Sequence, residues 1–394
     1  METELQQWQP EQQQQEQQQL CSRGAPETIM NIELSEVFEA YFDCRKGKRN
    51  TFNASAFEEN LESNIIELHY DLTHRVYTPN RHICFVVSYP TLREIWAADF
   101  RDRVVQTLFY NRYRDKFHNQ FIYDSYACIP GKGALRGAER VRDFCRRATQ
   151  NWSVPCYYLK ADVANFFVGI DKNTLYDILC RNIQETEWQQ LTHQIVFNDP
   201  RQGVLIKGNK ALLRQVPERK SLFKCSPCKG LPIGNLTSQF FANIYLNELD
   251  QFVKHELRCK YYARYVDDFV ILGPCPQELN RLYGVINDFL GEHLGLSLHN
   301  NKKRLAPIEQ GVDFVGYVIK PYRTYLRRRV IKNLNKKVET LVGSTGRDYE
   351  DYAPSLNSYL GFLRQVSGYN KRKAISQRLQ YAGIDMDSNL LKVL

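Results

Sequence analysis

The chain has 394 residues, 43% apolar and 25% charged, with 53 Lys+Arg against 44 Asp+Glu for a formal net charge of +9. That length predicts two or three sub-domains around a substantial core, which excludes a peptide hormone or a disulfide scaffold, and the positive excess suggests a polyanionic partner. Eleven scattered cysteines without a secretory leader predict reduced thiols in a cytosolic protein, and no apolar run approaches the roughly 20 residues of a membrane span, so no membrane partner is expected.

Residues 6–19 hold ten Gln in fourteen positions, a polar tract that buries too little surface to offset its ordering entropy, and 1–28 is read as a disordered Gln-rich tail. From Glu33 to Leu68 apolar residues recur at helical spacing, predicting two helices joined by the basic loop Arg45-Lys46-Gly47-Lys48-Arg49, which reads equally as a phosphate-seeking loop or a solvated connection. Residues 81–89 form a β-prone run stopped by Pro90, and 93–117 show an Arg-rich helical pattern. Residues 156–163 make a short β-prone run ending at Asp162, followed after Gly169 by a helix through Leu175 and Ile178.

Residues 198–230, rich in Gly, Pro, Lys and Arg, read as a long surface insertion. Thr237 to Leu257 has the apolar spacing of a helix, with Asn235 or Thr237 available as its N-cap. Two β-prone segments, 261–265 and 269–272, then flank Val266-Asp267-Asp268, a hairpin whose turn carries two carboxylates. Between 320 and 347 nine Lys or Arg face the single acid Glu339, the composition of a polyanion-binding surface, and the rest of the chain reads as a small helical domain.

Adjacent carboxylates on a tight hairpin repel one another, and a third nearby is unfavourable unless a cation compensates. If the strand ending at Asp162 lies beside the hairpin, Asp162 and Asp267 would meet at one sheet edge and could bridge two Mg²⁺ ions, with Mn²⁺ as an alternative, an arrangement that clamps the attacking and leaving oxygens of a phosphoryl transfer. Taken alone, an Asp-Asp pair is more often a solvated turn; the strand flanks and the second acidic strand end favour the metal reading. Cys225-Ser226-Pro227-Cys228 is a lone Cys-x-x-Cys and does not predict zinc, the eight His are dispersed, and no P-loop pattern is present.

Tyr265-Val266-Asp267-Asp268 resembles the Tyr-x-Asp-Asp signature of reverse transcriptases, and Asp162-Val163-Ala164-Asn165-Phe166-Phe167 resembles their first palm carboxylate motif. Arg93 to Gln106 and Ser125 to Arg140 are similar to the two fingers motifs, Leu296-Ser297-Leu298 before Lys302 to the fourth palm motif, and Phe314-Val315-Gly316-Tyr317 to the primer-grip hairpin. Most of the family carries Gln-Gly-x-x-x-Ser-Pro in the palm. Here Ile233-Gly234-Asn235-Leu236-Thr237-Ser238-Gln239 resembles the reverse transcriptases of diversity-generating retroelements.

The resemblance implies an α+β right-hand polymerase: N-terminal helices and fingers over 29–155, palm over 156–171, fingers or insertion over 172–230, palm and primer grip over 231–322, and a helical thumb over 323–394. Asp162, Asp267 and Asp268 would be catalytic, with the Val163 carbonyl as a further metal ligand. Arg93, Phe167, Ile233, Gly234, Gln239 and Lys302 would surround the dNTP. Arg93 would hold triphosphate, its alternative being an ion pair with Glu94; Phe167 would exclude a ribose 2′-OH, its alternative being a core aromatic; and Lys302 would protonate pyrophosphate or only contact phosphate. The family often has Lys where Thr91 stands, and Lys132 or Arg81 would have to replace that charge. Lys132, Phe314, Gly316, Arg327, Arg328, Arg329, Lys336 and Lys337 would contact nucleic acid.

The implied partners are template RNA, the cDNA or primer strand, dNTPs and a small basic accessory variability protein oligomer, in the cytoplasm of a bacterium or archaeon or encoded by a phage. The implied activity is error-prone copying of a template-repeat RNA, mutagenic at adenines. A group II-like or antiphage-defence reverse transcriptase and a catalytically silent nucleic-acid-binding scaffold are the rival readings.

Overall fold

The structure, a computed structural model, describes residues 29–46, 51–89, 91–343 and 349–392, the side chains of 349–352 excepted. The Gln-rich tail, the Gly47-Lys48-Arg49 part of the basic loop, Pro90 and Arg347 lie outside the described residues. Three helices, not two, open the fold: α1 (Leu34–Arg45), α2 (Phe52–Glu58) and α3 (Leu61–Thr73).

A strand β1 (Ile83–Val87) pairs antiparallel with β2 (Arg93–Ala97), and only then does helix α4 (Phe100–His118) begin, capped by Asp99 through the Arg101 N–H. The helical reading from residue 93 is therefore corrected. In β2 the inward positions are Glu94 and Trp96, so one residue of the buried face carries a charge and the period-2 pattern is masked. Glu94 accepts from the Trp96 indole (3.2 Å) and from the Leu222 N–H (2.9 Å).

Helix α5 (Ala134–Ala148) precedes β3 (Tyr157–Asp162), the turn α6 (Phe166–Gly169), α7 (Lys172–Cys180) and α8 (Thr186–Phe197). The 198–230 segment is not a free insertion: β4 (Leu205–Ile206) joins β1 in parallel, a short helix α9 (Lys210–Leu213) follows, and Leu222 packs with Cys84 and Trp96. Helix α10 (Leu236–Gln251) runs into a π-helical turn over Phe252–Glu256. Neither Asn235 nor Thr237 acts as the expected side-chain cap; the Asn235 side chain instead accepts from the Ala98 N–H at 3.1 Å.

Next come β5 (Tyr262–Tyr265), β6 (Asp268–Gly273), α11 (Pro276–Leu294), β7 (Arg304–Pro307), and a three-stranded meander of β8 (Val312–Phe314), β9 (Tyr317–Lys320) and β10 (Arg323–Leu326). Because β10 pairs with β9, the helical segment starts at Arg328 rather than Arg323. Its helices α12 (Arg328–Gly343), α13 (Tyr349–Arg364) and α14 (Tyr369–Gln380) bury Leu334, Val338, Leu360 and Leu379 together with Ala138 and Tyr317 of the body. Among the described residues no helix is long and apolar enough to cross a membrane.

The central antiparallel sheet has the order β5-β6-β3-β7 and is covered on both faces. Leu159, Ala161, Phe269 and Ile271 face the large core shared with α4, α10 and α11, whereas Tyr158, Val270 and Leu272 face α5. That alternation is the period-2 geometry of a strand. Beneath the β5–β6 hairpin lies a fully buried ion pair, Arg264 with Asp250 of α10, joined by two hydrogen bonds of 2.8 and 2.6 Å. Tyr262 donates to the same carboxylate at 2.7 Å, and Arg264 also donates to Asn243 (3.2 Å) and to the Val266 carbonyl (3.0 Å).

Removing one member of such a pair leaves an uncompensated charge in the core. Asp250→Ala should therefore cost about 3–5 kcal/mol in chemical denaturation, and Asp250→Leu combined with Arg264→Met should recover most of that loss. Equal losses in the single and double variants would show that the pair is not what stabilises this region.

Candidate active site

Strand pairing brings the acidic positions together. In the β3–β6 register Asp162 lies directly opposite Asp268, so their side chains leave the same face at one end of the sheet. The Val163 N–H donates to the Asp267 carbonyl (3.2 Å), the Ala164 N–H to the Ser297 carbonyl (2.8 Å) and the His299 N–H to the Asp162 carbonyl (2.8 Å), tying three distant segments around one point. Tyr265 pairs with Asp268, so Val266 and Asp267 form the whole loop of the hairpin. Val266 has φ +54°, a conformation that costs a β-branched residue about 1–3 kcal/mol and for which glycine is the usual occupant. The Arg264 guanidinium holds its carbonyl in place.

The negative charge is costly as it stands. Burial, reinforced by the Asp162 and Asp268 carboxylates, pushes Asp267 up to about 6. Burial also raises Asp268, against the pull of Lys160, with the Asp162 charge and hydrogen bond adding to the rise. Lys302 lies 2.5 Å from Asp162 and Lys160 lies 3.6 Å from Asp268. Among the described residues no three His, Cys or carboxylate side chains are gathered as closely as an ion cage requires. In this arrangement Lys302 is the counterion of Asp162 and Lys160 that of Asp268. The donor set nonetheless fits a divalent cation: two acids hard to ionise together, a third drawing in an ammonium, and only oxygen donors, as Mg²⁺ prefers.

A cleft of about 470 Å³ opens over these acids, lined by Arg93, Asp162, Val163, Phe167, Ile233, Gln239, Asp267, Asp268 and Lys302 together with Cys128 and Lys220. Phe166 is buried in the core while Phe167 is partly exposed on the cleft wall. Arg93 sits at the start of β2, its Nε donating to the Thr91 hydroxyl at 3.1 Å. Gly234, at φ +127°, lies behind the cleft wall: a Cβ there would come within 2.8 Å of the Trp96 carbonyl, so the glycine serves the packing of this loop on β2. The adjacent Ile233 carbonyl accepts from the Trp96 N–H at 2.7 Å.

Other expected contacts are placed differently. Phe314 is fully buried on the inward face of β8, against α5 and Gly137, and has no surface to offer a nucleic acid. Lys132 donates to the Tyr123 and Ser125 carbonyls at 2.6 and 3.0 Å and does not line the cleft. Arg327 is bonded to Asp313, and its N–H donates to the carbonyl of Gly316 in the β8–β9 turn. Arg328, Arg329 and Lys336 are exposed on α12, and Lys337 lies over the Tyr359 ring. Sequence reasoning missed Lys160, Lys220 and the Asp250–Arg264–Asn243 network. An Arg inside the otherwise apolar run Tyr261–Tyr265 was the available sign of the last.

A raised carboxyl pKa penalises the folded state once that group must ionise. For Asp267 the penalty is absent below about pH 4, where both states are protonated, and complete above about pH 6. Asp267→Asn should therefore stabilise the metal-free protein at pH 8 by about 1–2 kcal/mol, and not at pH 4. Mg²⁺ should raise the wild-type Tm at pH 8 more than that of the variant. Thermal melts in EDTA and in Mg²⁺ at both pH values check this; an unchanged Tm for Asp267→Asn at pH 8 would contradict it.

Residues 90–319, more than half of the chain, match the family described as reverse transcriptase (RNA-dependent DNA polymerase). The intron 2 protein assigned to COX1/OXI3 in Saccharomyces cerevisiae is 20% identical over 309 residues, 63% of this chain and 33% of the relative, so the chain spans about a third of that protein's length. Among solved structures, apo telomerase from Candida tropicalis truncated from its C-terminal domain superposes with TM-score 0.45 at 13% identity, over 67% of this chain and 60% of that one. Telomerase from Candida albicans with a telomeric RNA fragment gives TM-score 0.39 at 12% identity, over 84% and 66%. With an antiparallel sheet that carries its acids at one end, and with the family match across that sheet, the chain belongs to the reverse transcriptase family and has an α+β fold of the right-hand polymerase kind.

Proposed function

We propose that the protein is an RNA-directed DNA polymerase that attaches the α-phosphate of a dNTP to a primer 3′-OH. The observation that carries this reading is the register pairing of Asp162 with Asp268 in the lining of a cleft, within a chain of this family. Asp162, Asp267 and Asp268 would hold two divalent cations, with the Val163 carbonyl as a further donor. Bound there, Mg²⁺ or Mn²⁺ supplies Lewis-acid stabilisation of the charge on the attacking and leaving oxygens. Lys302, beside Asp162, would protonate or bind the departing pyrophosphate. Arg93 would hold the triphosphate, and Phe167 on the cleft wall would crowd a ribose 2′-OH.

On this reading residues 156–171 and 231–322 form the palm, 29–155 and 172–230 the N-terminal helices and fingers, and the helices from Arg328 the thumb. Exposed Arg328, Arg329 and Lys336 would grip phosphates without reading bases.

The finer reading is a diversity-generating retroelement enzyme, error-prone at template adenines and acting in the cytoplasm with a small basic accessory protein. Its support is Ile233 on the cleft wall, an aliphatic that packs but cannot hydrogen-bond to the nascent pair. The second reading, an intron-encoded enzyme of the group II-like kind, is favoured by the likeness to the yeast intron protein.

Primer extension on RNA separates these proposals. Wild type should incorporate dNTPs with Mg²⁺, and the double variant Asp267→Ala, Asp268→Ala should fall to background; equal activity in both would end the polymerase reading. On an adenine-rich template, Ile233→Gln should lower misincorporation several-fold, and an unchanged error rate would remove the support for the error-prone reading.

A further inference from the structure

The geometry points to Lys220 as a second phosphate-binding cation for the incoming triphosphate, lining the same cleft as Arg93. This inference rests on the polymerase reading above and adds to it a residue that lies outside every motif carrying the family resemblance.

The cationic side chains that line the cleft are Arg93, Lys220 and Lys302. Lys302 is committed to Asp162 at 2.5 Å. Arg93 spends its Nε on Thr91 and keeps its two terminal nitrogens. Lys220 makes no ion pair with any acid among the described residues, although three carboxylates lie on the floor of the same cleft. Lys220 is exposed and lines the cleft without an acidic partner among the described residues.

The Lys220 N–H donates to the Pro217 carbonyl at 2.8 Å, and the next residue, Ser221, is buried. Leu222 follows, packed on Trp96, with its N–H on the Glu94 carboxylate at 2.9 Å. Glu94 is the chain neighbour of Arg93. The contacts of Leu222 with Trp96 and Glu94 thus join the two segments that display Arg93 and Lys220. A nucleoside triphosphate carries close to four negative charges; the divalent cations that the three acids would hold meet those nearest the α-phosphate, and Arg93 with Lys220 would meet those at the β and γ end. Together the two side chains form a seat for the β- and γ-phosphates, leaving the α-phosphate over the acids.

The test compares wild type, Lys220→Ala, Lys220→Arg and Lys224→Ala. Lys224 is the control, a neighbouring lysine paired with Glu218 at 3.7 Å and absent from the cleft lining. Lys220→Ala should raise the KM for dNTP about tenfold, the loss of one charged hydrogen bond, with kcat and template–primer affinity unchanged. Lys220→Arg should restore most of it, and Lys224→Ala should match wild type.

A second readout needs no turnover: inorganic tripolyphosphate, with Mg²⁺ present, should compete with a fluorescent dNTP for wild type about tenfold better than for Lys220→Ala. An unchanged KM and unchanged competition overturn the proposal. So does a loss confined to template–primer affinity, which would assign Lys220 to strand phosphates. If wild type binds dNTP without incorporating it, the polymerase reading fails while the competition assay still judges Lys220. If wild type binds no dNTP, both fall.

Discussion

The site depends on one pairing, the antiparallel register of β3 and β6. Six residue pairs from Tyr157–Gly273 to Asp162–Asp268 align two segments more than a hundred positions apart. A slip of one residue would turn Asp162 to the opposite face and bury it against the large core, so the two-sided packing of the sheet also specifies which acids meet. Leu159, Ala161, Phe269 and Ile271 on one face and Tyr158, Val270 and Leu272 on the other make every alternative register costly. Core packing and site geometry are here the same constraint.

A second layer supports the first. The loop of the β5–β6 hairpin consists of Val266, at positive φ, and Asp267, and together with Asp268 at the start of β6 it presents two carboxylates whose burial resists ionisation. Left to itself such a loop would relax. The buried Arg264 prevents this by donating from one terminal nitrogen to both the Val266 carbonyl and Asn243 while its other two nitrogens are fixed on Asp250 of α10. The helix thus sets the position of the acids and also contributes Gln239 and Asn243 to the cleft lining. The α10 N-terminus is joined in turn to β2 through Ile233 and Asn235, so the strand that displays Arg93 is fixed relative to the same helix.

What could be read beforehand was local. Asp162 at the end of a β-prone run, and two aspartates between two others, mark the site because strand ends and tight turns are short-range features. Phe166 is buried and Phe167 half-buried, and both line the cleft. What failed depended on distant neighbours. Strand β2 was hidden because its inward face includes Glu94, whose partners, Trp96 and Leu222, are defined only by the folded chain. Phe314 looked available in a Gly-containing hairpin and is fully buried, since α5 covers that face of the meander. Lys132 carries charge in a Gly-rich loop, yet its ammonium donates to two backbone carbonyls. Lys220 stood in a segment of no clear periodicity, and only the burial of Leu222 brings it to the cleft.

The central claim is that Asp162 and Asp268, brought together by strand register, act on a common divalent cation. Manganese binding followed by electron paramagnetic resonance tests it directly, in wild type, Asp162→Asn and Asp268→Asn, each first shown to be folded. The account predicts that either substitution weakens the tightest bound ion by at least about tenfold, because each removes a ligand charge from one site. Retention of that ion at wild-type affinity in either variant would contradict it.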